Sequence, residues 1–546
     1  MTDGNKFRKD IFRSPIDFTI SLSGNFGDFR TNHFHSGIDI RTQGTVGKNI
    51  YACADGYISR IRISPYGYGN AIYIDHPSGY TTLYGHLRSF NQEIAEYIEQ
   101  KQYELELNTI DHYLEPNEMP VKSGDVIAKS GNSGSSSGPH LHFEIRESET
   151  EHPLNPLFFG FDVPDDVKPE IYGVYIYPLE KWSTINGQMG EQYFTAIKKG
   201  NNYGLSEKVA VSGKVGIGLY ALDRFKNGKY KHTFNALSMK VNGKTTYQFK
   251  YDELVFETLR DVNSHMDHEK KILAKQKVTK CFKDGHSRLE IYDVIEGNGI
   301  LDIFPDETKT IEIAVVDAEL NESVISFNLN GVQNDLREVV REQSVKTLLA
   351  DQENAYHSES LSIFFPEGRL YRDVQMNIHH NLGKTHTDSY EITPVYEPLK
   401  DWYTLKLKYG PVEEELQSKM TIMLKRKCGK IKPLYSTYDN GWISCRTKEF
   451  GEYFVGIDTI APSIEMINKN IEIGKISFNV RDNFDQFEYY EARVDNRWLM
   501  LFFDRKVRKF HCDLRDLDLE NGEHELEFWV KDAQGNRGTF KRSFSI

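Results

Sequence analysis

Two histidines one residue apart lie near the end of GNSGSSSGPHLHFEIR, residues 131–146. The segment HLHFEI alternates as a strand does, and residues two apart in a strand project from the same face. His140 and His142 are therefore expected on one face, with Leu141 and Phe143 on the other. Because the chain has 18 histidines in 546 residues, such a pair can also arise by chance on a solvated strand.

A second stretch with the same potential lies upstream, where NHFHSGIDI places His35 and Asp39 four residues apart around Gly37. In a strand this spacing puts both side chains on one face, and Gly37 leaves room for something to approach the backbone. Imidazole and carboxylate groups both bind zinc, and catalytic zinc sites typically have three protein ligands and one position for water. The two stretches are therefore candidates for a metal site.

Length and charge bound the class of protein. At about 150 residues per domain, 546 residues predict several domains. The net charge of -13 and the pI near 5.8 argue against a nucleic-acid-binding protein, which normally shows a basic domain or stripe. No run approaches the ~18 to 20 apolar residues that span a bilayer, so no transmembrane segment is expected.

The first residues, MTDGNKFRKDIF, contain no apolar segment typical of a signal peptide. No export signal is therefore visible. If the protein acts outside the cytoplasm, removal of a leader is the simplest explanation. The cysteines form no C-x-x-C pair and at least one is unpaired, so disulfides do not organise the fold. A bond between Cys428 and Cys445 across a hairpin is left open.

Short runs of alternating apolar and polar residues, broken by Gly, Asn and Asp, predict a mainly β protein. NAIYIDHPSGYTTLYGHL predicts a hairpin that turns at residues 77–79, and TIEIAVVDAELNESVISFNL is a second run of strands. Helices are expected only at residues 89–106, as an insertion, and at residues 333–343, as a connector.

Two similar motifs, VVDAELN at residues 315–321 and VKDAQGN at residues 530–536, place Asp, Ala and Asn at the same offsets. Each follows a β-rich run and precedes one more strand, as at the end of many immunoglobulin-like sandwiches. The Pro-containing segment GIDTIAPSI marks the start of the second such module. The predicted domains are residues 1–165 with a helical insertion at about 89–119, an Ig-like sandwich at 166–330, a connector at 331–344, a β-rich sandwich of uncertain type at 345–456, and an Ig-like sandwich at 457–546.

Four stretches within the first 160 residues carry, in this order, the motifs H-x-x-x-D, G-H-L, G-N-[ST]-G and H-L-H-F-E. They are GNFGDFRTNHFHSGIDI, YTTLYGHLRSF, VKSGDVIAKSGNSG and SGPHLHFEIR. Together they resemble the lysostaphin-type zinc metallopeptidases, also called the LytM family, which cut the peptide cross-links of peptidoglycan. The resemblance covers about residues 25–160 and implies an antiparallel β-sheet peptidase domain with one zinc ion per chain, followed here by about three β-sandwich modules.

The resemblance also implies roles for single residues. His35, Asp39 and His142 match the zinc ligands, whereas His140 and His86 match histidines that line the active site. Three such ligands lower the pKa of a zinc-bound water from about 15.7 towards ~7, so a zinc-activated water is the expected nucleophile. Imidazole, with an ordinary pKa of ~6.5, suits proton transfer to and from that water and the leaving amine.

His140 is expected to do this proton transfer, while His86 orients the water or stabilises the oxyanion; the division between them is left open. In the family the Gly/Ser stretch forms one wall of a narrow groove over the metal, which makes Asn132 and Ser133 candidate substrate-binding residues. A plain flexible turn is the alternative. Tyr66 and Tyr68, in the loop SPYGYGN, are candidates for a second wall.

Two further histidines compete for roles. His33 has the same strand parity as His35 and is an alternative ligand, although the family pattern uses the histidine followed by x-Gly-x-Asp. His76, in DHPSG, is expected to be a turn or surface residue.

The segment 89–119 is long for its place in the family, and its helical, acidic character suggests a rim or lid on the groove.

The expected function is zinc-dependent hydrolysis of peptidoglycan peptides, in the cell envelope, either periplasmic or secreted. A catalytically silent relative that regulates or scaffolds cell-wall hydrolases is the alternative, and the complete set of three ligands and two histidines favours the enzyme. A third reading makes the β-modules an envelope-binding or adhesive protein, since sandwiches host many functions. The scissile bond is left open, with a D-alanyl to diaminopimelate cross-link favoured, and no regulatory partner is identified.

Overall fold

Antiparallel strands between residues 22 and 154 build the framework of the amino-terminal domain. The computed structural model describes residues 7–226, 228–333, 346–383, 388–467, 474–484 and 486–546. The first strands are β1 Leu22–Gly24, β2 Phe29–Arg30, β3 His33–Phe34, β4 Ile38–Arg41, β5 Asn49–Tyr51, β6 Gly56–Ile63, β7 Asn70–Asp75, β8 Tyr80–Leu87, β9 Ser89–Phe90, β10 Ile110–Tyr113, β11 Pro120–Val121, β12 Val126–Lys129, β13 His140–Glu147 and β14 Pro153–Leu154.

The main sheet of this domain has the order β1-β4-β13-β8-β7-β6, so β13 lies between β4 and β8. The alternation predicted for HLHFEI is confirmed, because Leu141 and Phe143 are fully buried on the apolar face of β13. His142 pairs across the sheet with Asp39 on β4 and with Gly85 on β8. The register therefore brings a histidine and a carboxylate onto the same face of adjacent strands.

An irregularity in β8 changes the direction of the chain beside this point. Asn70 of β7 pairs with Leu87, whereas Ile72 pairs with Tyr84, so β8 has one residue more than β7 in this interval. His86 lies in the bulge and has a φ of 59°, a left-handed conformation that residues other than glycine seldom adopt. The predicted hairpin is confirmed, since β7 ends at Asp75 and β8 begins at Tyr80.

A first β-sandwich follows the amino-terminal domain. Its strands are β15 Glu170–Pro178, β16 Thr184–Ile185, β17 Gln192–Lys199, β18 Asn202–Leu205, β19 Val209–Leu222, β20 Ala236–Val241, β21 Lys244–Lys250, β22 Val278–Lys280, β23 Tyr292–Ile295, β24 Leu301–Ile303, β25 Thr308–Val316 and β26 Glu322–Gly331. The path β19-β15-β17-β18-β26 closes on itself, because β26 also pairs in parallel with β19. The two halves of this module are therefore joined into one continuous sheet.

The amino-terminal domain and this first sandwich share a hydrophobic core. Phe26, Phe29 and Phe34, which precede the first candidate ligand, belong to the same buried cluster as Tyr251 and the sandwich strands. The rings of Phe34 and Tyr251 lie 5.4 Å apart. Sequence alone did not predict this shared core, since the three phenylalanines lie inside a peptidase motif rather than in a sandwich strand.

Residues 346–457 form a second sandwich around its own core. Its strands are β27 Lys346–Leu348, β28 Asn354–His357, β29 Leu361–Phe365, β30 Val374–Asn381, β31 Ser389–Thr393, β32 Tyr403–Lys408, β33 Met420–Lys425, β34 Ile431–Leu434, β35 Ser436–Asp439, β36 Trp442–Thr447 and β37 Glu452–Ile457. They make a six-stranded sheet, β27-β30-β31-β37-β33-β34, and a five-stranded sheet, β28-β29-β32-β36-β35.

A third sandwich ends the chain. Its strands are β38 Ser463–Met466, β39 Lys475–Arg481, β40 Phe487–Val494, β41 Arg497–Leu499, β42 Phe502–Asp504, β43 Lys509–Asp513, β44 Glu523–Asp532 and β45 Arg537–Ser545. They form two four-stranded sheets, β38-β39-β43-β42 and β41-β40-β44-β45. A tight turn joins β44 to β45, and another joins β25 to β26, as the two Asp-Ala-x-x-Asn motifs predict.

The predicted helical insertion is confirmed as α1, Gln92–Leu105. It belongs to one compact unit with residues 62–69 and the third sandwich, whereas residues of the amino-terminal sheet and the first sandwich form the other unit. The rings of Tyr103 and Trp498 lie 5.2 Å apart, and the side-chain oxygen of Asn108 accepts a hydrogen bond from the backbone N–H of Leu501. The insertion is thus fastened to the last module of the chain.

Three short helices were not predicted: α2 Val262–His265, α3 His268–Leu273 and α4 Glu414–Gln417. The expectation of only two helices is therefore wrong, because segments of four to six residues are too short to show helical periodicity. Residues 334–343 of the predicted connector helix lie outside the described residues. Cys428 and Cys445 are not bonded to each other. No helix among the described residues is long and apolar enough to cross a membrane.

Candidate metal and catalytic centre

Three candidate ligand atoms meet where β4 and β13 lie side by side. His35 Nε2 and His142 Nδ1 each lie 3.0 Å from Asp39 Oδ1, and the two nitrogens lie 3.0 Å from each other. All three residues are buried. The structure therefore brings together the three residues that the sequence pattern singled out as metal ligands.

The three residues reach this point from different elements. Asp39 and His142 face each other across the β4–β13 register. His35 does not continue β4 as expected from the strand spacing; it lies in the short connection between β3 and β4. A Cβ atom on Gly37 would lie 2.3 Å from the carbonyl oxygen of Phe143, so the glycine lets β13 approach this connection closely.

Hydrogen bonds fix which nitrogen of each histidine is available. His35 Nδ1 lies 2.8 Å from the carbonyl oxygen of Asn25, which can only accept, so His35 carries its proton on Nδ1 and its Nε2 lone pair is free. His142 Nε2 lies 2.8 Å from a carboxylate oxygen of Glu144, which leaves the Nδ1 lone pair of His142 facing Asp39. Both lone pairs therefore point into the cluster, as metal ligation requires.

A shell of buried polar residues supports these ligands. Glu144 is fully buried, accepts a hydrogen bond from the hydroxyl of Ser36 and pairs with Arg146 at 2.7 Å. On the other side, Arg30 Nη2 lies 2.6 Å from Asp39 Oδ2. Sequence reasoning missed these residues. Glu144 and Arg146 follow His142 at two-residue steps on the same strand face, which is the signal that identifies them.

The electrostatics of the cluster favour an anionic Asp39 beside positive charge. Burial raises the pKa of the Asp39 carboxyl, but the nearby charge of His35 and the side-chain contacts with His140, His142 and His35 outweigh it and hold that pKa well below its usual range. Burial lowers the pKa of His35. Burial also disfavours protonated His142, yet its hydrogen bonds to Asp39 and Glu144 raise its pKa to about 9. Without a metal ion, a proton on His142 therefore supplies the positive charge that balances the Asp39 carboxylate.

The donor set fits a zinc ion. Two imidazoles and one carboxylate are ligands of catalytic zinc, and atoms at about 2.0–2.1 Å in a tetrahedral arrangement lie about 3.3 Å apart. The separations of 3.0 Å between the three donor atoms are close to that value. His35, Asp39 and His142 would thus hold zinc with little rearrangement, and their role as ligands stays a prediction.

His140 and His86 flank the cluster without joining it. His140 Nε2 lies 3.4 Å from Asp39 Oδ1, and the rings of His86 and His140 lie 4.8 Å apart. His140 Nδ1 donates to the carbonyl of Gly138, and His86 Nδ1 donates to the carbonyl of Ser133. Each histidine therefore keeps an Nε2 lone pair that can accept a proton.

Burial, followed by the nearby His142 and His140, lowers the pKa of His86 to about 3, so its imidazole is neutral at ordinary pH. Ser136, which the sequence did not single out, is buried and its hydroxyl lies 3.1 Å from His140 Nδ1. The same hydroxyl donates to the carbonyl of Gly138. The Gly/Ser stretch thus positions both histidines.

The four candidate substrate-binding residues divide into two groups. Ser133 accepts a hydrogen bond from the backbone N–H of Asn70 and is part of the loop that holds His86, and Asn132 precedes it. Tyr66 and Tyr68 lie in the loop of residues 62–69, which belongs to the other compact unit. There the guanidinium of Arg505 lies 4.9 Å from the ring centre of Tyr66. Substrate binding by these residues stays a prediction.

The competing histidines lie outside the cluster. His33 is exposed and its Nδ1 lies 2.9 Å from the carbonyl of Thr31. His76 is buried rather than on the surface, with Nδ1 bonded to the carbonyl of Asp55 and Nε2 to the hydroxyl of Thr82. His76 lies beside the turn, as expected, but these two hydrogen bonds hold its side chain in the interior rather than on the surface.

Comparison with known proteins adds two family matches. Residues 33–103 and 107–156 match peptidase family M23, and residues 345–458 match the Zu5-like domain. The chain is 35% identical over 136 residues to the DD-carboxypeptidase/endopeptidase Mpg of Neisseria meningitidis serogroup B, covering 25% of each chain. It is 30% identical over 149 residues to the peptidoglycan DD-endopeptidase ShyB of Vibrio cholerae, covering 26% of this chain and 29% of that one.

Among solved structures, a zinc-containing peptidase from Vibrio cholerae is 27% identical, with a TM-score of 0.21 and coverage of 29% of this chain and 41% of that one. This chain thus spans between a quarter and a third of the length of the curated relatives named above. The matches fall on the amino-terminal residues that carry the histidine and aspartate motifs. They confirm the resemblance that the four sequence stretches indicate.

Proposed function

We propose that the chain is a zinc-dependent endopeptidase that hydrolyses peptide cross-links of peptidoglycan, because residues 33–103 and 107–156 match peptidase family M23. The observation that carries the proposal is the mutual 3.0 Å approach of His35 Nε2, Asp39 Oδ1 and His142 Nδ1. Their lone pairs converge on one point, and the backbone and Glu144 hold both imidazoles in the tautomer that metal binding needs.

A zinc ion held by these residues would supply Lewis acidity and lower the pKa of a water molecule at the open position. The protein residues would do the remaining work. Glu144 and Arg30 hold the ligands His142 and Asp39 in place, and such supporting contacts typically affect metal affinity 10- to 100-fold, roughly. Burial of the cluster keeps competing water away from these contacts.

Proton transfer is assigned to His140. Its Nδ1–H is held by the carbonyl of Gly138, so Nε2 is the atom that would accept a proton from the attacking water and return it to the leaving amine. His86 is neutral and has its Nδ1–H held by Ser133, so it would orient the attacking water through Nε2.

The substrate class follows from the relatives. One of them is named a DD-carboxypeptidase/endopeptidase and another a peptidoglycan DD-endopeptidase, and the family resemblance points to peptide cross-links. Peptidoglycan places the action of the protein in the cell envelope, periplasmic or secreted. A D-alanyl to diaminopimelate cross-link is the bond we propose. The sandwich modules would then act as spacer or wall-targeting domains.

The test is digestion of purified cross-linked peptidoglycan, with the released muropeptides identified by mass spectrometry. We expect loss of cross-linked dimers with wild-type protein, loss of this activity with a chelator, and recovery with zinc. His142→Ala should be inactive, whereas His33→Ala, an exposed histidine two residues from a ligand, is the matched control and should cleave normally. Zinc binding by wild type without any cleavage of peptidoglycan or its stem peptides would contradict the proposal and favour a silent regulator.

A further inference from the structure

A second cluster of metal-ligating side chains lies at one end of the first sandwich. Asp165 precedes β15, Asp223 follows β19 and Asp317 follows β25. One carboxylate oxygen from each residue lies within 4.8 Å of the others. The cluster belongs to neither the peptidase motifs nor the candidate catalytic centre.

Two of the three carboxylates are deeply buried. Asp223 is 1% exposed and Asp317 is 3% exposed, while Asp165 is half-buried. Both carboxylate oxygens of Asp223 and Oδ2 of Asp165 are buried without a hydrogen-bond partner. A buried, unpartnered carboxylate is costly, because it has lost the hydrogen bonds that water gives it.

Asp317 is held in place by its own loop. Its Oδ1 accepts hydrogen bonds from the backbone N–H groups of Glu319 and Asn321, and its Oδ2 accepts one from the Asn321 amide. These are bonds from neutral donors, so the negative charge remains. In the part of the chain that the structure describes, no Lys, Arg or His forms an ion pair with Asp165, Asp223 or Asp317.

Burial and mutual repulsion shift the pKa values of the cluster's members. Burial, followed by the carboxylates of Asp317 and Asp165, raises the pKa of Asp223 to about 8. Burial also raises the pKa of Asp165, to about 6. Two things can remove this unfavourable charge: protons on the carboxylates or a bound cation.

The third sandwich provides an internal comparison. Asp458 and Pro462 repeat the spacing of Asp165 and Pro169, and the Asp-x-Phe of Asp482 repeats that of Asp223. Asp532, in the motif Asp-Ala-x-x-Asn, corresponds to Asp317. Like Asp317, it accepts hydrogen bonds at Oδ1 from two backbone N–H groups of its loop and at Oδ2 from the amide of the loop asparagine.

The two modules differ in the hydrogen bonds that the first aspartate accepts. In the third sandwich the amide of Asn483 donates to Asp458 Oδ1 at 2.9 Å, and the corresponding residue of the first sandwich is Arg224. Among the described residues, no three carboxylates of the third sandwich approach one another as those of the first do. The third sandwich thus supplies one amide donor that the first lacks, although Asp458 Oδ2 is also buried without a hydrogen-bond partner.

We propose that Asp165, Asp223 and Asp317 bind a calcium ion. All donors are carboxylate oxygens, which suit hard cations rather than zinc. Oxygens bound to one calcium ion at about 2.4 Å can lie at most about 4.8 Å apart, and the three carboxylates satisfy this limit. Magnesium prefers about 2.1 Å with several retained waters, so a cage of three converging carboxylates suits calcium better.

Bound calcium would join three loops of the first sandwich. Asp165 lies in the segment that leads from the amino-terminal domain into β15, whereas Asp223 and Asp317 follow β19 and β25. The ion would therefore fix the segment between the peptidase domain and the sandwich to the end of that sandwich. The proposed calcium ion does not belong to the catalytic centre. This proposal is therefore independent of the proposed peptidase activity.

The test is calorimetric titration of the full chain with CaCl2, after metal removal and reloading with one equivalent of zinc. We expect one saturable calcium site per chain with a Kd of about 10⁻⁴ to 10⁻³ M, the range of extracellular modules, and weaker binding of magnesium. Calcium should also raise the thermal unfolding midpoint. The absence of saturable calcium binding up to about 10 mM would overturn the proposal and leave protonated carboxyls as the explanation.

Asp223→Asn should weaken calcium binding at least tenfold, and Asp482→Asn, at the corresponding position of the third sandwich, should leave it unchanged. Without calcium, Asp223→Asn should unfold at a temperature no lower than wild type, because the amide, unlike the carboxylate, carries no charge that a proton or a cation must neutralise. If this variant does not fold, Asp165→Asn, at a half-buried position, decides in its place and should also bind at least tenfold more weakly. Unchanged binding in the informative variant, or equal loss in Asp482→Asn, would overturn the assignment.

Discussion

Two buried aspartate clusters in the same compact unit are surrounded in opposite ways. Asp39 is enclosed by three histidines and Arg30, and its pKa lies well below the usual range. Asp223 is equally buried but is enclosed by Asp165 and Asp317, and its pKa is raised to about 8. Burial alone therefore does not decide the charge of a carboxylate; its neighbours do. The first cluster offers mixed nitrogen and oxygen donors and the second only oxygen.

Buried histidines show the same contrast. His142, between Asp39 and Glu144, has its pKa raised to about 9. His265 is as deeply buried in the first sandwich, but its nitrogens contact the hydroxyls of Tyr251 and Tyr292, and burial lowers its pKa to about 3. The carboxylates, rather than the depth of burial, thus distinguish the candidate catalytic centre from the aromatic core.

The largest effect is expected at His140, which flanks the first cluster without ligating it. His140→Ala should lower kcat about 10²- to 10⁴-fold, the usual contribution of a general base, while zinc content stays at the wild-type level. Turnover of muropeptide dimers and zinc analysis of the same samples measure both. Equal loss of zinc and activity would make His140 a ligand and break the division between ligands and base.

The next effect concerns pH and sharpens the contrast between the two histidines. The unfolded chain protonates His265 near pH 6.5 and the folded chain only near pH 3, so stability is lost as pH falls between these values. Between pH 6.5 and 5 the loss is about 1.6 kcal/mol, because the unfolded histidine is already half protonated at pH 6.5 and the slope reaches about 1.36 kcal/mol per pH unit only below it.

Denaturant unfolding of wild type and His265→Gln at both pH values isolates this contribution from other titrating groups. The variant should lose less stability on acidification than wild type. If both lose the same amount, the aromatic environment does not keep His265 neutral, and the contrast with His142 fails.

A smaller effect is expected for the support of the first cluster. Glu144→Gln keeps the shape of the side chain but removes the charge that holds His142, so zinc affinity should fall roughly 10- to 100-fold. Competition with a zinc chelator measures the affinity. Glu147→Gln, on the exposed end of the same strand, is the control and should bind zinc like wild type.

The smallest effect compares the two Asp-Ala-x-x-Asn turns. Leu320 is exposed and has a φ of 67°, whereas the corresponding Gly535 has a φ of 75°. Leu320→Gly should raise the free energy of unfolding by up to about 1 kcal/mol, because glycine adopts this conformation without strain. Gly535→Ala should lower it by a similar amount, and changes of the same sign in both variants would contradict this explanation.

The sequence predicted the residues of the candidate metal centre better than the residues that hold them in place. The two-residue period of HLHFEI placed His140 and His142 on one face, and the family pattern selected His35, Asp39 and His86. The same period reaches Glu144, but a carboxylate on a strand does not by itself reveal that a histidine donates to it. The position of His35 outside β4 depends on the close approach of β13 at Gly37, a tertiary contact that local spacing does not contain.

The packing between domains was less predictable for the same reason. Phe26, Phe29 and Phe34 pack against the first sandwich, and α1 packs against the third, through contacts between residues far apart in sequence. The three aspartates of the proposed calcium site have counterparts at the same spacing in the third sandwich. Only the structure shows that the amide of Asn483 donates to Asp458 there, whereas the first sandwich has Arg224 at the corresponding position.

The measurement that tests the central claim most directly combines zinc analysis with digestion of cross-linked peptidoglycan, for wild type and His142→Ala in parallel. We predict about one zinc per chain and loss of muropeptide dimers for wild type, and neither for the variant, because three ligands are typical of catalytic zinc. Dimer cleavage by His142→Ala without zinc would contradict the assignment of His35, Asp39 and His142 as the metal centre that carries hydrolysis.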